Sequence, residues 1–136
     1  MRYMMFVKNN RDSEAGRNYE TGVPPDPKLV ATIGKYAEEL ARTGVLLETG
    51  GLLPSSSAAR IRARQGQLIV TDGPFIESKE VIGGYAVLKA ASKQEAIELG
   101  RAFLKIHADV LGPSYEGELE IRQMFDSTGR DSADAA

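Results

Sequence analysis

The chain has one histidine, His107. It is the side chain whose ordinary pKa puts a proton in play near neutrality, so it is the first candidate for acid–base work. Asp72, in the run Asp72-Gly73-Pro74-Phe75, is the second, because a carboxylate beside a Gly-Pro turn can orient a histidine or act as a base. The two are read as a catalytic acid–base pair. Each also has a plainer role. His107 lies near the end of a helical stretch, where the dipole favours a cation. Asp72 suits a carboxylate that accepts from its own loop's N–H groups, with Gly73 permissive and Pro74 setting the exit.

Four further side chains are candidates for substrate binding: Tyr3, Met5, Arg62 and Tyr85. Arg60, Arg62 and Arg64 alternate with Ala59, Ile61 and Ala63, so three guanidinium groups share one strand face. Such forks suit a carboxylate or a phosphate. The plainer reading pairs them with Glu118 and Glu120, or leaves them guarding a sheet edge. Tyr3, Met5 and Tyr85 combine apolar walls with phenol groups, the mixture that small-ligand sites use. They suit a dimer core equally. Lys79-Glu80 reads as an exposed ion pair or a ligand contact.

Other chemistries are excluded by type and spacing. No cysteine is present, which removes disulfides, thiolate metal sites and a thiol nucleophile. One histidine with scattered carboxylates has no metal-ligand spacing, so no metal is expected. Gly50-Gly51 and Gly83-Gly84 form no phosphate-binding fingerprint. Ser55-Ser56-Ser57 has no histidine in local register and no nucleophile-elbow motif. No cofactor is expected.

The elements that must position these groups follow from local patterns. Arg2–Lys8 is a strand with apolar groups on both alternating faces. Residues 9–25 are polar, lack periodicity and read as a long loop. Asp26-Pro27 opens a helix whose stripe is Leu29, Ile33, Tyr36, Ala37 and Leu40, with Gly44 as its stop. A strand over Val45–Leu53 is interrupted at Gly50-Gly51, which predicts a bulge or a close approach. Ala58–Gln65 and Leu68–Thr71, separated by Gly66-Gln67, form a hairpin. Gly83–Leu88 is a buried strand. Ser92 and Glu95 make a capping box for a helix striped by Ala96, Leu99, Ala102, Phe103 and Ile106. A last strand covers Glu118–Phe125.

The order is βαββαβ with an inserted hairpin, an α+β ferredoxin-like fold whose helices lie on one sheet face. Residues 1–126 are read as one domain and residues 127–136 as a flexible tail. Two helices cover one face only, while the first strand is apolar on both, so a homodimer is expected. Formal charge is −2, from 17 Lys and Arg against 19 Asp and Glu, which argues against nucleic-acid or membrane partners. No apolar run reaches the length of a membrane span and no signal-peptide pattern opens the chain, so the expected address is the cytoplasm.

Val70-Thr71-Asp72-Gly73-Pro74-Phe75-Ile76-Glu77-Ser78-Lys79-Glu80, followed by Gly83-Gly84-Tyr85, resembles the DGPF proteins of the YCII-related superfamily. The likeness runs from Arg2-Tyr3-Met4-Met5 through Gly22-Val23-Pro24-Pro25-Asp26-Pro27 and Leu52-Leu53-Pro54-Ser55-Ser56 to Glu118–Arg122. The resemblance implies a dimeric α+β barrel. It implies two functional expectations: a cofactor-free small-molecule isomerase or lyase, and, as the alternative, a non-catalytic ligand-binding or regulatory dimer associated with extracytoplasmic-function sigma factors. Relatives with a His–Asp pair place a histidine before the Pro-Ser of the strand-turn segment. Here Leu53 precedes Pro54, which leaves that place without a titrating group.

Overall fold

The computed structural model describes residues 1–125. The residues read as a tail lie outside that range. Six strands and three α-helices follow in the order β1 (Arg2–Asn10), α1 (Glu14–Glu20), α2 (Pro27–Arg42), β2 (Leu46–Gly51), β3 (Ala59–Arg64), β4 (Gln67–Asp72), β5 (Glu80–Lys89), α3 (Lys93–Leu111) and β6 (Glu118–Gln123). A 3-10 turn, Ser55–Ser57, precedes β3. The main sheet has the order β2-β5-β1-β6 with antiparallel neighbours throughout, the ferredoxin-like arrangement. The β3–β4 hairpin stands apart as a two-stranded sheet.

Local chemistry accounts for both long helices. Asp26 caps α2 by accepting from the Lys28 amide at 2.8 Å, with Pro27 at the first helical position. At its far end Gly44 adopts φ +79°, the left-handed conformation glycine tolerates. Ser92 accepts from the Glu95 amide at 3.1 Å, and the Glu95 carboxylate reaches back to the Ala91 amide at 3.1 Å, one residue earlier than a standard capping box.

The two helices cover one face of the main sheet. Tyr3 and Met5 of β1 are 3% and 5% exposed, and Leu88 of β5 is 1% exposed. Tyr3 packs with Ala90 and Ala96, with Leu99 and Ile121 alongside. A side chain at Gly100 would meet Leu119, Ile121 and Met5 within 3.1 Å, so α3 approaches the sheet closely there. The Tyr36 hydroxyl ties α2 to α3 by donating to the Leu99 carbonyl at 3.1 Å.

One expectation needs correction and a second is narrowed to one of its alternatives. The polar stretch 9–25 contains helix α1, whose N-cap Ser13 accepts from the Gly16 amide at 3.1 Å. Its periodicity is silent because it packs through a glycine: a Cβ at Gly16 would lie 1.8 Å from the Asn10 carbonyl oxygen. In β2, the irregularity falls between Leu46 and Glu48. Gly50 is a close approach, with the Tyr85 ring 2.9 Å from where its Cβ would be.

Gly16 in α1 and Gly34 in α2 therefore give a matched test. Gly16→Ala should destabilise by about 1–3 kcal/mol or more through overpacking. Gly34→Ala, with open space around it, should stabilise by roughly 0.5–1 kcal/mol through helix propensity. Urea unfolding of both variants measures the difference.

Candidate functional site

The Asp72–Phe75 loop is anchored by a buried polar network. The Gly73 amide donates to the Ala58 carbonyl at 2.8 Å, and the Gly73–Pro74 peptide is cis. A Cβ at Gly73 would stand 1.7 Å from the Ser55 carbonyl oxygen, so only glycine fits. Phe75 is 9% exposed. Its amide lies 3.4 Å from Ser55 Oγ, its carbonyl accepts from the Arg11 guanidinium, and its ring lies under Arg60 at 3.7 Å. Ser55 donates to Glu20 through its amide, at 2.9 Å, and through its hydroxyl. Arg11 closes the circuit on Glu20 at 3.3 Å. Both side chains are largely buried, at 18% and 7% exposure, so the pairing is needed to offset lost hydration.

Ser55 is thereby committed to structure: its hydroxyl proton goes to a carboxylate that is itself ion-paired. Arg11, Glu20 and Ser55 were not singled out for this from sequence. The signal available was weak, a polar run with no apolar stripe, and the contacts join residues 35 apart. Asp72 takes no part. It ends β4 opposite Ala59, is exposed, and its carboxylate makes no hydrogen bond or ion pair among the described residues. The expected acceptance of its own loop's amides is not seen, because Gly73 donates to Ala58 instead.

His107 sits one turn before the end of α3 and is 9% exposed. Its ring lies between Phe103, at 4.8 Å, and Tyr115, at 5.5 Å. Nδ1 is 3.1 Å from the Phe103 carbonyl, and since a carbonyl only accepts, Nδ1 carries the proton. Burial pushes the imidazole pKa below its ordinary value, opposed in part by that bond. The sequence reading of a helix-end cation is replaced by a buried neutral ring. Among the described residues, no hydrogen bond or ion pair joins His107 to Asp72, which lies in the separate hairpin.

The binding trio is divided by strand register. Tyr3 and Met5 point under the helices. Tyr85 pairs with Phe6 on the opposite face, which the helices leave open. There Met4 and Phe6 are half-buried beside Val87, which is 5% exposed. The Tyr85 hydroxyl donates to Glu48 at 3.2 Å, a bond that raises the phenol pKa. Lys8 pairs with Glu120 at 2.7 Å and Glu80 at 3.6 Å. It also lines a cleft of about 490 Å³ with Asp12, Lys79, Glu80 and Glu118. The expected pairing of the arginine row with Glu118 and Glu120 is not formed. Glu120 is taken by Lys8 and Arg122, and Arg60 bonds to Glu77 at 2.5 Å.

Two measurements test this description. Ser55→Ala removes a hydrogen bond to a buried carboxylate, with an expected cost of about 1–3 kcal/mol in urea unfolding. For His107, the unfolded chain takes the proton near 6.5 and the folded chain only below it. Below about pH 6.5 the unfolded state holds more protons, so stability falls as pH falls. His107→Phe keeps a ring between Phe103 and Tyr115 and should flatten that fall below about pH 6.5 in thermal unfolding.

Comparison with known proteins bears on this architecture. The chain is similar to an uncharacterised protein of Rhizobium meliloti (strain 1021), 32% identical over 76 residues, or 56% of this chain and 61% of that protein. The alignment thus spans less than two thirds of that relative's length. The sequence profile of the YCII-related domain matches residues 1–111. That match takes in every element from β1 to α3, with the Asp-Gly-Pro-Phe loop and its anchors, and the chain belongs to the YCII-related domain family.

Proposed function

We propose that the protein is a ligand-binding homodimer in which the open sheet face of one protomer is closed by a second copy. One observation carries this reading. The face opposite the helices holds Met4, Phe6 and Val87 beside the polar pairs Tyr85–Glu48 and Lys8–Glu120. Apolar walls with a few fixed polar groups suit a small molecule with an apolar body and a hydrogen-bonding head. A sheet face with no helix over it, on which Met4, Phe6 and Tyr85 are half-buried, is also what a two-fold partner would cover. The site then consists of Phe6, Tyr85 and their neighbours, with Tyr3 and Met5 supporting the floor from beneath.

A cofactor-free isomerase or lyase is the second reading, favoured by the contact between Tyr85 and Glu48. A phenol and a carboxylate in hydrogen-bond reach beside an apolar floor can relay a proton. His107 and Asp72 support that chemistry less, since one is a packed neutral ring and the other lies in the hairpin. Regulation through an extracytoplasmic-function sigma factor rests on the family resemblance alone, and co-purification with such a factor would test it.

Sedimentation of the wild type should give twice the chain mass, and Phe6→Asp should give a folded monomer by circular dichroism. A monomeric wild type would remove the reading. Benzoate and related aromatic carboxylates, at about 100 times their Kd, should stabilise the wild type by about 2.7 kcal/mol in thermal unfolding. That shift should vanish in Phe6→Ala. Turnover of a bound ligand that is lost in Glu48→Gln would establish the enzymatic reading instead.

A further inference from the structure

The β3–β4 hairpin has two chemically distinct faces. Ile61 lies opposite Val70 and Ala63 opposite Leu68, while Arg60 lies opposite Thr71 and Arg62 opposite Ile69. Alternation puts the first set on one face and all three arginines on the other. Successive guanidinium stems stand roughly 7 Å apart along the strand. Arg60 is already employed: it stacks on Phe75 and bonds to Glu77 at 2.5 Å and to Ser78 Oγ at 2.6 Å. The side chains of Arg62, Arg64 and Thr71 make no hydrogen bond or ion pair among the described residues. The hairpin's one carboxylate, Asp72, follows Val70 on the other face.

The arginine face is also concave. A hollow of about 360 Å³ is lined by Arg60, Arg62, Ile69, Thr71 and Glu77. Glu77, whose pKa a backbone bond and then Arg60 hold below the usual carboxylate range, stays ionised, and its charge is met by the Arg60 ion pair. Arg62 then offers a planar fork, Thr71 a hydroxyl donor and Ile69 an apolar wall. Arg60, pinned by Phe75 and Glu77, sets the hollow's shape and is pre-organised.

We propose that this face is an oxyanion-binding site, separate from the open sheet face, for a small molecule bearing a phosphate or carboxylate group. Arg62 is its principal ligand, with Thr71 as second donor and Arg64 adding long-range attraction.

The test is an amide NMR titration of the full chain with inorganic phosphate and, separately, with succinate, at constant ionic strength. Saturable shifts confined to residues 60–64, 69–71 and 77 are expected with at least one of them. The stronger probe identifies the head group. Arg62→Gln should weaken binding by about tenfold or more, as loss of a charge-assisted fork does, and Arg62→Lys should restore only part. Phe6→Ala should leave the affinity unchanged, which separates this site from the proposed chamber. Three results would overturn the proposal: no saturable shift, shifts spread equally over the chain's other lysines and arginines, or affinity indifferent to Arg62→Gln. Tight binding of a single-stranded oligonucleotide without any phosphate response would also overturn it, in favour of a nucleic-acid surface.

Discussion

A four-stranded sheet has two faces, and this chain has two long helices with which to cover them. Both go to the same side, because each is the crossover between two parallel strands with one antiparallel strand between them, α2 from β1 to β2 across β5 and α3 from β5 to β6 across β1. The helix side therefore becomes a dry core around Tyr3, Met5, Leu88 and Ala96. The other side keeps Met4, Phe6, Tyr85 and Val87 with no helix above them. The proposed site on the main sheet depends on that one-sidedness, since it leaves half-buried apolar groups beside the pairs Tyr85–Glu48 and Lys8–Glu120.

The second constraint is polar. The loop carrying Asp72–Phe75 leaves the hairpin and must return to β5, and it is secured by Arg11, Glu20 and Ser55. The three come from the end of β1, the last residue of α1 and the 3-10 turn. Burial makes the network consequential, because removing any partner strands the others away from water. Gly73 and Gly16 are glycines for the same reason, as a carbonyl oxygen occupies the place of a side chain at each. The signature loop is thus a fastening between the main sheet and the hairpin.

Much of the fold was legible in local pattern. Asp26-Pro27 and Ser92 with Glu95 announced helices because capping involves residues two to four apart. Arg2–Lys8 announced a strand with two apolar faces, and Gln65-Gly66 sits at the hairpin turn, where both residues adopt positive φ. Helix α1 was not legible. It has no stripe, packs through Gly16, and its decisive bonds run from Glu20 to Ser55 and from Tyr19 to the carbonyls of Leu52 and Leu53. The candidate sites were half legible. The alternation of Arg60, Arg62 and Arg64 put them on one face; of the two plainer readings, pairing with Glu120 fails because Glu120 belongs to Lys8, while Arg62 and Arg64 stay exposed as the other had it.

By itself the sequence determined the α+β class, the order of the elements other than α1, the two-sided apolar character of β1 and the shared face of the three arginines. These follow from periodicity, capping and alternation, which act over a few residues. Only the tertiary structure decided that His107 is a neutral ring between Phe103 and Tyr115, that Tyr85 faces away from Tyr3 and Met5, and that Glu20 holds Ser55. Register and burial set those outcomes. A strand pairing fixes which distant residues share a face, and the water removed around a polar group decides whether it titrates, pairs or stays neutral.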